Sequence, residues 1–180
     1  DRSRDGFVVA TKARASTVDR SEVQDSNKAT RESEESFIQK VELSLERLHT
    51  DYVDILYLHS CKSREDALDE MALSAMQTLK KQGKIRHIGV STHSNQAEVI
   101  EAALESGVYE VVLTAYNFKT ANREELERAM ERAAAKGLGV VAMKTQAGVF
   151  WDKERTQPIP MKAALRWALR QDYVHTAIPG

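Results

Sequence analysis

The chain has 180 residues, and its 26 basic residues nearly balance 27 acidic ones, so the net charge is −1. This balance excludes binding to nucleic acid through bulk positive charge. A hydrophobic fraction of 42% is typical of a globular protein, and this length predicts a single domain over residues 1–180. One cysteine, Cys61, and the absence of a long apolar run favour a reducing, cytoplasmic location with no membrane insertion.

Six short runs rich in β-branched residues predict buried strands. In chain order, these runs are Phe7–Thr11, Val53–Leu58, Ile85–Val90, Val111–Tyr116, Gly139–Met143 and Val174–Ile178. A long polar connection, residues 14–30, follows the first run, and we expect it to form a mobile loop. Strands that alternate with helices predict a parallel sheet with right-handed crossovers.

The stretches between the strands have apolar residues at helical spacing. Two such sets are Phe37, Val41, Leu45 and Leu48, and Leu126, Ala129, Met130 and Ala133. Ser63 with Asp66 and Asn122 with Glu125 resemble capping boxes, which mark helix starts. Glycines mark three helix ends, at Gly83, Gly107 and Gly137.

Polar residues at the strand ends decide between an open sheet and a closed barrel. An open sheet collects its chemistry at one switch point, whereas a barrel has it on a ring of strand ends. Five of the six runs end in such residues, at Lys12, His59, Ser91, Tyr116 and Lys144. This favours a (β/α)8 TIM barrel. Since that fold needs about 250 residues, we expect the barrel to be incomplete here, with about two units preceding the sequence.

Several familiar motifs are absent or misplaced. The segment Gly137-x-Gly139-x-x-Ala142 precedes a strand, whereas a dinucleotide-binding loop follows one. The sequence has no Walker-type phosphate loop, no zinc-binding pattern and no G-x-S-x-G motif, so we predict no metal site and no hydrolase nucleophile.

The strand-end segments resemble the aldo-keto reductase superfamily. The segments are FVVATKA, SLERLHTDYVDILYLHS, LKKQGKIRHIGVSTHS, TAYNF and AIPG, in this order. The resemblance implies a (β/α)8 barrel that reduces aldehydes and ketones with a nicotinamide cofactor, usually NADPH. Members bind that cofactor without a G-x-G-x-x-G loop. The implied partner is a small-molecule carbonyl substrate.

The resemblance also implies roles for individual residues. Of the family's catalytic Asp, Tyr, Lys and His, Lys12 matches the lysine and His59 the histidine, and the other two are expected upstream of Asp1. For the cofactor, Ser91 and Thr92 correspond to residues that bind the nicotinamide carboxamide. Thr92 replaces the usual Asn, however, and Leu113 stands where many members have Gln.

Two further cofactor residues follow from the same resemblance. Tyr116 corresponds to the aromatic that stacks under the nicotinamide ring, and Lys144 lies where the chain approaches the pyrophosphate. We assign no role to His93 or Cys61. Trp151 could cover substrate or pin its own loop.

Two other functions remain open at this point. A Schiff-base lyase on a similar barrel would use Lys12 or Lys144 as its nucleophile. A non-catalytic, cofactor-binding regulatory barrel would explain Leu113 and Thr92. Substrate specificity is expected to depend on the loops at residues 14–30 and 148–160.

Overall fold

A computed structural model describes residues 4–15 and 33–179 of the chain. After a short 3₁₀ turn at Arg4–Gly6, strands and helices alternate as the sequence predicts. The strands are β1 (Ala10–Ala13), β2 (Val53–Cys61), β3 (Ile85–Thr92), β4 (Val111–Ala115), β5 (Gly139–Met143) and β6 (Thr176–Ile178). The helices are α1 (Glu34–Leu48), α2 (Arg64–Ala67), α3 (Glu70–Lys81), α4 (Gln96–Ser106), α5 (Arg123–Ala135) and α6 (Met161–Leu169).

The strands form one sheet in chain order, β1-β2-β3-β4-β5-β6. The β1–β2, β3–β4, β4–β5 and β5–β6 pairs are all parallel. Strand order equal to chain order, with a helix in each connection, is the arrangement of consecutive units in a (β/α)8 barrel. Among the described residues, none of the helices has both the length and the apolar content needed to cross a membrane.

The chain divides into two compact units. One comprises Asp1–His59 and Asp69–Ile88, and the other comprises Ser60–Leu68 and Gly89–Gly180. Within the first unit, α1 packs against α3. Phe37, Val41 and Leu45 are buried on one face of α1, as predicted, but Leu48 is 48% exposed. Leu48 is the last residue of α1, and the left-handed backbone of His49 turns the chain away from the packed face directly after it.

The start of β2 carries an ionic cluster around the buried carboxylate of Asp54 in the first unit. Asp54, 7% exposed, accepts a hydrogen bond from the Val9 backbone N–H at 2.8 Å. Its two carboxylate oxygens also pair with Arg4 at 2.9 Å and Arg86 at 3.1 Å. Both guanidinium groups lie over the ring of Tyr52, 4.4 and 4.2 Å from its centroid. Asp54 therefore fixes the N-terminal segment to β2.

β1 begins three residues later than predicted. Phe7 and Val8 are 49% and 77% exposed, because the β1–β2 pairing starts only at Ala10, opposite Ile55. Lys12 consequently lies within β1 instead of just beyond its end. The predicted loop at residues 14–30 lies almost wholly outside the described residues.

The second unit contains the other predicted helix core. Leu126, Ala129, Met130 and Ala133 are all buried on α5, which confirms that prediction. Ser63 caps α2 by accepting from the Asp66 N–H, also as predicted. The prediction of a capping box at Asn122 is wrong, because the Asn122 side chain makes no cap hydrogen bond. Its ψ of 50° departs from the extended backbone typical of that position.

Candidate active site

Lys12 and His59 lie on one face of neighbouring strands in the first unit. Lys12 is directly opposite Tyr57 in the parallel register. Alternate residues of a strand share a face, so Lys12, Tyr57 and His59 all project to the same side. His59 lies two residues beyond Tyr57, which separates the Cα atoms of Lys12 and His59 by about 8 Å. Lys12 is exposed and His59 is half-buried.

Tyr57 shares this face, but its environment keeps its phenol protonated. Its side chain is 2% exposed, and burial raises its pKa to about 12. A phenol with such a pKa is a poor proton donor near neutral pH. Burial therefore makes Tyr57 a weaker acid than an ordinary tyrosine.

In the second unit, Ser91 and Thr92 project to opposite faces of β3. Ser91 is opposite Leu113, and Thr92 is opposite Thr114. Ser91 is fully buried, and its Oγ accepts a hydrogen bond from the Ser60 N–H at 3.0 Å. The Thr92 hydroxyl donates to the Ser94 carbonyl at 2.7 Å. Of the two residues, only Ser91 shares a face with Leu113, and the binding of one carboxamide by both stays a prediction.

Tyr116 is engaged by helix residues. Its side chain is fully buried, its hydroxyl donates to Glu127 Oε1 of α5 at 2.6 Å, and its ring lies 5.0 Å from that of Trp167 of α6. Burial, followed by the hydrogen bond to Glu127, raises the pKa of its phenol far above the ordinary value. Burial and the contact with Trp167 therefore enclose the ring in this structure, and its stacking on a nicotinamide stays a prediction.

A residue that sequence reasoning missed lies two strands away from Ser91, on the same face. Met143 of β5 is opposite Ala115 of β4, and Val141 is opposite Leu113. Met143 is 8% exposed. With Leu113 and Val141 it forms an apolar row beside Ser91. Strand alternation, applied to Ala115 and Met143, could have found it.

Lys144 follows β5 in a left-handed conformation, with φ of 55°. Its side chain is exposed, and its carbonyl accepts hydrogen bonds from Asn117 Nδ2 at 3.0 Å and Ala147 N–H at 3.1 Å. These bonds fix the backbone that carries the ammonium group. Lys144 lines a cavity of about 620 Å³. Other polar residues that line it are Asn95, Gln96, Glu98, Asn117, Lys119, Thr120, Asn122 and Glu125.

The β5–α6 loop beside this cavity is held by its own side chains. Trp151, 53% exposed, packs against Phe118 with ring centroids 5.0 Å apart. Lys119 Nζ lies 4.9 Å from the centre of the Trp151 ring. Asp152 accepts from the backbone N–H groups of Thr156 and Gln157 and from the Thr156 hydroxyl. These bonds, led by the Thr156 hydroxyl, lower the pKa of Asp152 to about 2. Trp151 therefore anchors this loop through its contacts with Phe118 and Lys119.

The sequence matches a known protein family and several curated proteins. The model of the Aldo/keto reductase family matches residues 1–167. L-galactose dehydrogenase from Arabidopsis thaliana is 28% identical over 153 residues, which cover 82% of this chain and 47% of that protein. Aldo-keto reductase AFTS1 from Alternaria alternata is 28% identical over 112 residues, covering 61% of this chain and 30% of that protein. The chain thus spans half or less of these curated relatives.

Solved structures show the same fold. The holo form of aldo-keto reductase AKR11C1 from Bacillus halodurans superposes with a TM-score of 0.72 at 24% identity, covering 98% of this chain and 63% of that one. The apo form gives a TM-score of 0.70 at 22% identity, with 98% and 62% coverage. At these identities the likeness concerns the fold alone. It confirms the prediction of an incomplete (β/α)8 barrel.

Proposed function

Because this chain belongs to the aldo/keto reductase family of oxidoreductases, we propose that its protein reduces aldehyde or ketone groups to alcohols with hydride from NADPH. The observation that carries the proposal is the β1–β2 register, which gives Lys12 and His59 a common face. Both residues also match the lysine and histidine that the sequence resemblance implies. A shared face is what two groups need if they are to act on one substrate.

Lys12 and His59 have complementary tasks in this chemistry. When bound, NADPH supplies the hydride that adds to the carbonyl carbon, and negative charge then develops on the carbonyl oxygen. A proton donor at that oxygen lowers the barrier. We assign the donor to a tyrosine outside this sequence, whose pKa the ammonium of Lys12 would lower by about 1–3 units. The neutral imidazole of His59 would donate one N–H to the same oxygen and orient the substrate.

For the cofactor, Ser91 and Lys144 fit better than Thr92 and Tyr116. The Ser91 oxygen accepts from Ser60, and its proton is left to donate to a carboxamide oxygen. The apolar row of Leu113, Val141 and Met143 on the same face suits the flat nicotinamide ring. Lys144 is exposed and would approach the phosphates. Thr92 projects to the other face, and the ring of Tyr116 is enclosed.

An assay of the full-length protein with 4-nitrobenzaldehyde as the carbonyl substrate tests this function. We expect oxidation of NADPH with a stoichiometric yield of 4-nitrobenzyl alcohol. With NADPH deuterated at C4 of the nicotinamide ring, the deuterium should appear on the alcohol carbon. NADH in parallel measures cofactor preference.

Other outcomes would overturn the proposal. A covalent lysine adduct, trapped by borohydride with the aldehyde, would indicate a Schiff-base lyase that uses Lys12 or Lys144. Tight NADPH binding without turnover of the aldehyde or of a panel of ketones would indicate a regulatory, cofactor-binding barrel.

We place the chemistry in the cytoplasm, a location that the single cysteine favours.

A further inference from the structure

The backbone of β2 is strained directly after His59. Ser60 has φ of 62°, although it is not glycine and lies within the strand. An L-residue reaches this left-handed region only at an energetic cost, and it stays there when its surroundings hold it. Since Ser60 is bonded covalently to His59, the conformation of Ser60 influences the direction of the imidazole. The group that holds Ser60 therefore influences a proposed catalytic residue.

That group is the side chain of Ser91. The Ser60 N–H donates to Ser91 Oγ at 3.0 Å, and Ser91 is fully buried. The bond itself is partly buried, which makes the interaction stronger than at an open surface. A serine hydroxyl has two lone pairs and one proton. The bond from Ser60 uses one lone pair and leaves the proton for another partner.

We propose that Ser91 is a positioning residue for His59. It holds Ser60 in the left-handed conformation and thereby sets the orientation of the imidazole. This inference rests on the proposed function, and it gives Ser91 a second task besides the carboxamide. When the Ser91 hydroxyl donates its proton to a ligand, its oxygen becomes a better acceptor for the Ser60 N–H. Cofactor binding and the orientation of His59 are therefore coupled through a single hydroxyl.

Four variants of the full-length protein separate the two tasks of Ser91. Ser91→Ala should lower kcat for 4-nitrobenzaldehyde by up to about 10²-fold, as expected for a misplaced catalytic group, and should also weaken NADPH binding. Ser60→Gly alone should lower kcat less than Ser91→Ala does, because glycine adopts a positive φ without strain. The double variant should regain about tenfold of the kcat lost in Ser91→Ala while its NADPH affinity stays low. Thr114→Val removes a buried hydroxyl that has no hydrogen-bond partner, on the neighbouring strand, and should resemble wild type.

A readout without cofactor or substrate keeps this inference separate from the proposed function. NMR of histidine-labelled protein should show altered His59 ring resonances in Ser91→Ala, restored toward wild type in the double variant and unchanged in Thr114→Val. If Ser91→Ala does not fold, Ser91→Cys keeps a side chain of similar shape with a weaker acceptor. Unaltered His59 resonances in Ser91→Ala, or a kcat loss that Ser60→Gly does not repair, would overturn the inference. A wild-type protein without carbonyl reduction would overturn the proposed function, while the resonances would still decide the role of Ser91.

Discussion

Substitution of Asp54 by asparagine should destabilise the fold through the ionic cluster at the start of β2. Asparagine keeps the shape and one acceptor oxygen, but it removes the charge that pairs with Arg4 and Arg86. Hydrogen bonds to charged groups contribute about 1.5–3 kcal/mol each. Because Arg86 is half exposed, its share is reduced by solvent screening. We therefore expect Asp54→Asn to lower the free energy of unfolding by about 2–3 kcal/mol at pH 7.

The pH dependence identifies the charge as the cause. Burial alone would raise the pKa of Asp54, but the Val9 N–H and the two guanidinium groups outweigh burial and hold it below the ordinary value. The stabilisation is then complete above the unfolded-state pKa of about 3.9 and disappears as the pH falls through the lower, folded-state pKa.

Urea denaturation of the full-length protein at a series of pH values measures this effect. Asp51→Asn, an exposed substitution of the same chemistry three residues away, serves as the control and should change stability by less than about 0.5 kcal/mol. An equal effect of the two substitutions at pH 7, or an Asp54→Asn effect that does not diminish in acid, would refute the reasoning.

Three further substitutions test the site. His59→Ala should leave NADPH affinity, measured by fluorescence, nearly intact and lower carbonyl reduction by about 10²-fold; equal losses in both would indicate a structural role. Tyr116→Phe removes the partly buried hydrogen bond to Glu127 and should lower the free energy of unfolding by about 1–2 kcal/mol in urea denaturation; unchanged stability would mean that this bond does not stabilise the fold. The amide NMR shift of Thr156 should titrate near pH 2 with Asp152, and Asp152→Asn should abolish that transition; a transition that persists would mean that another group causes it.

The alternation of strands and helices could be predicted from sequence because each element carries its own apolar pattern. The β5 run Gly139–Met143 was predicted to the residue. The start of β1 was not, because Phe7 and Val8 have strand-like side chains but no pairing partner. Pairing depends on a neighbouring strand, which a local pattern does not contain.

A position at a strand end does not by itself reveal which face of the sheet a side chain occupies. Ser91 and Thr92 are consecutive, so a strand necessarily directs them to opposite sides. Tyr116 follows β4 on the face packed by α5 and α6. The left-handed backbone of Ser60 carried no signal at all, since its cause is the hydroxyl of Ser91, distant in sequence. The position of a residue within its own strand could be predicted from the sequence. The hydrogen bonds between residues of different strands could be found only in the structure.

Lys12 is proposed to tune a proton donor for carbonyl reduction, and the pH profile of Lys12→Met in the full-length protein tests this role most directly. Removing the ammonium lets the pKa of the neighbouring phenol return toward about 10. The alkaline limb of kcat/KM for reduction, which reports loss of the protonated acid, should therefore move to higher pH while the whole profile falls. Tyr57→Phe, which alters the opposite residue on β2, is the matched control and should leave that limb in place. Wild-type activity with an unmoved limb in Lys12→Met, or a profile abolished by Tyr57→Phe, would contradict the account.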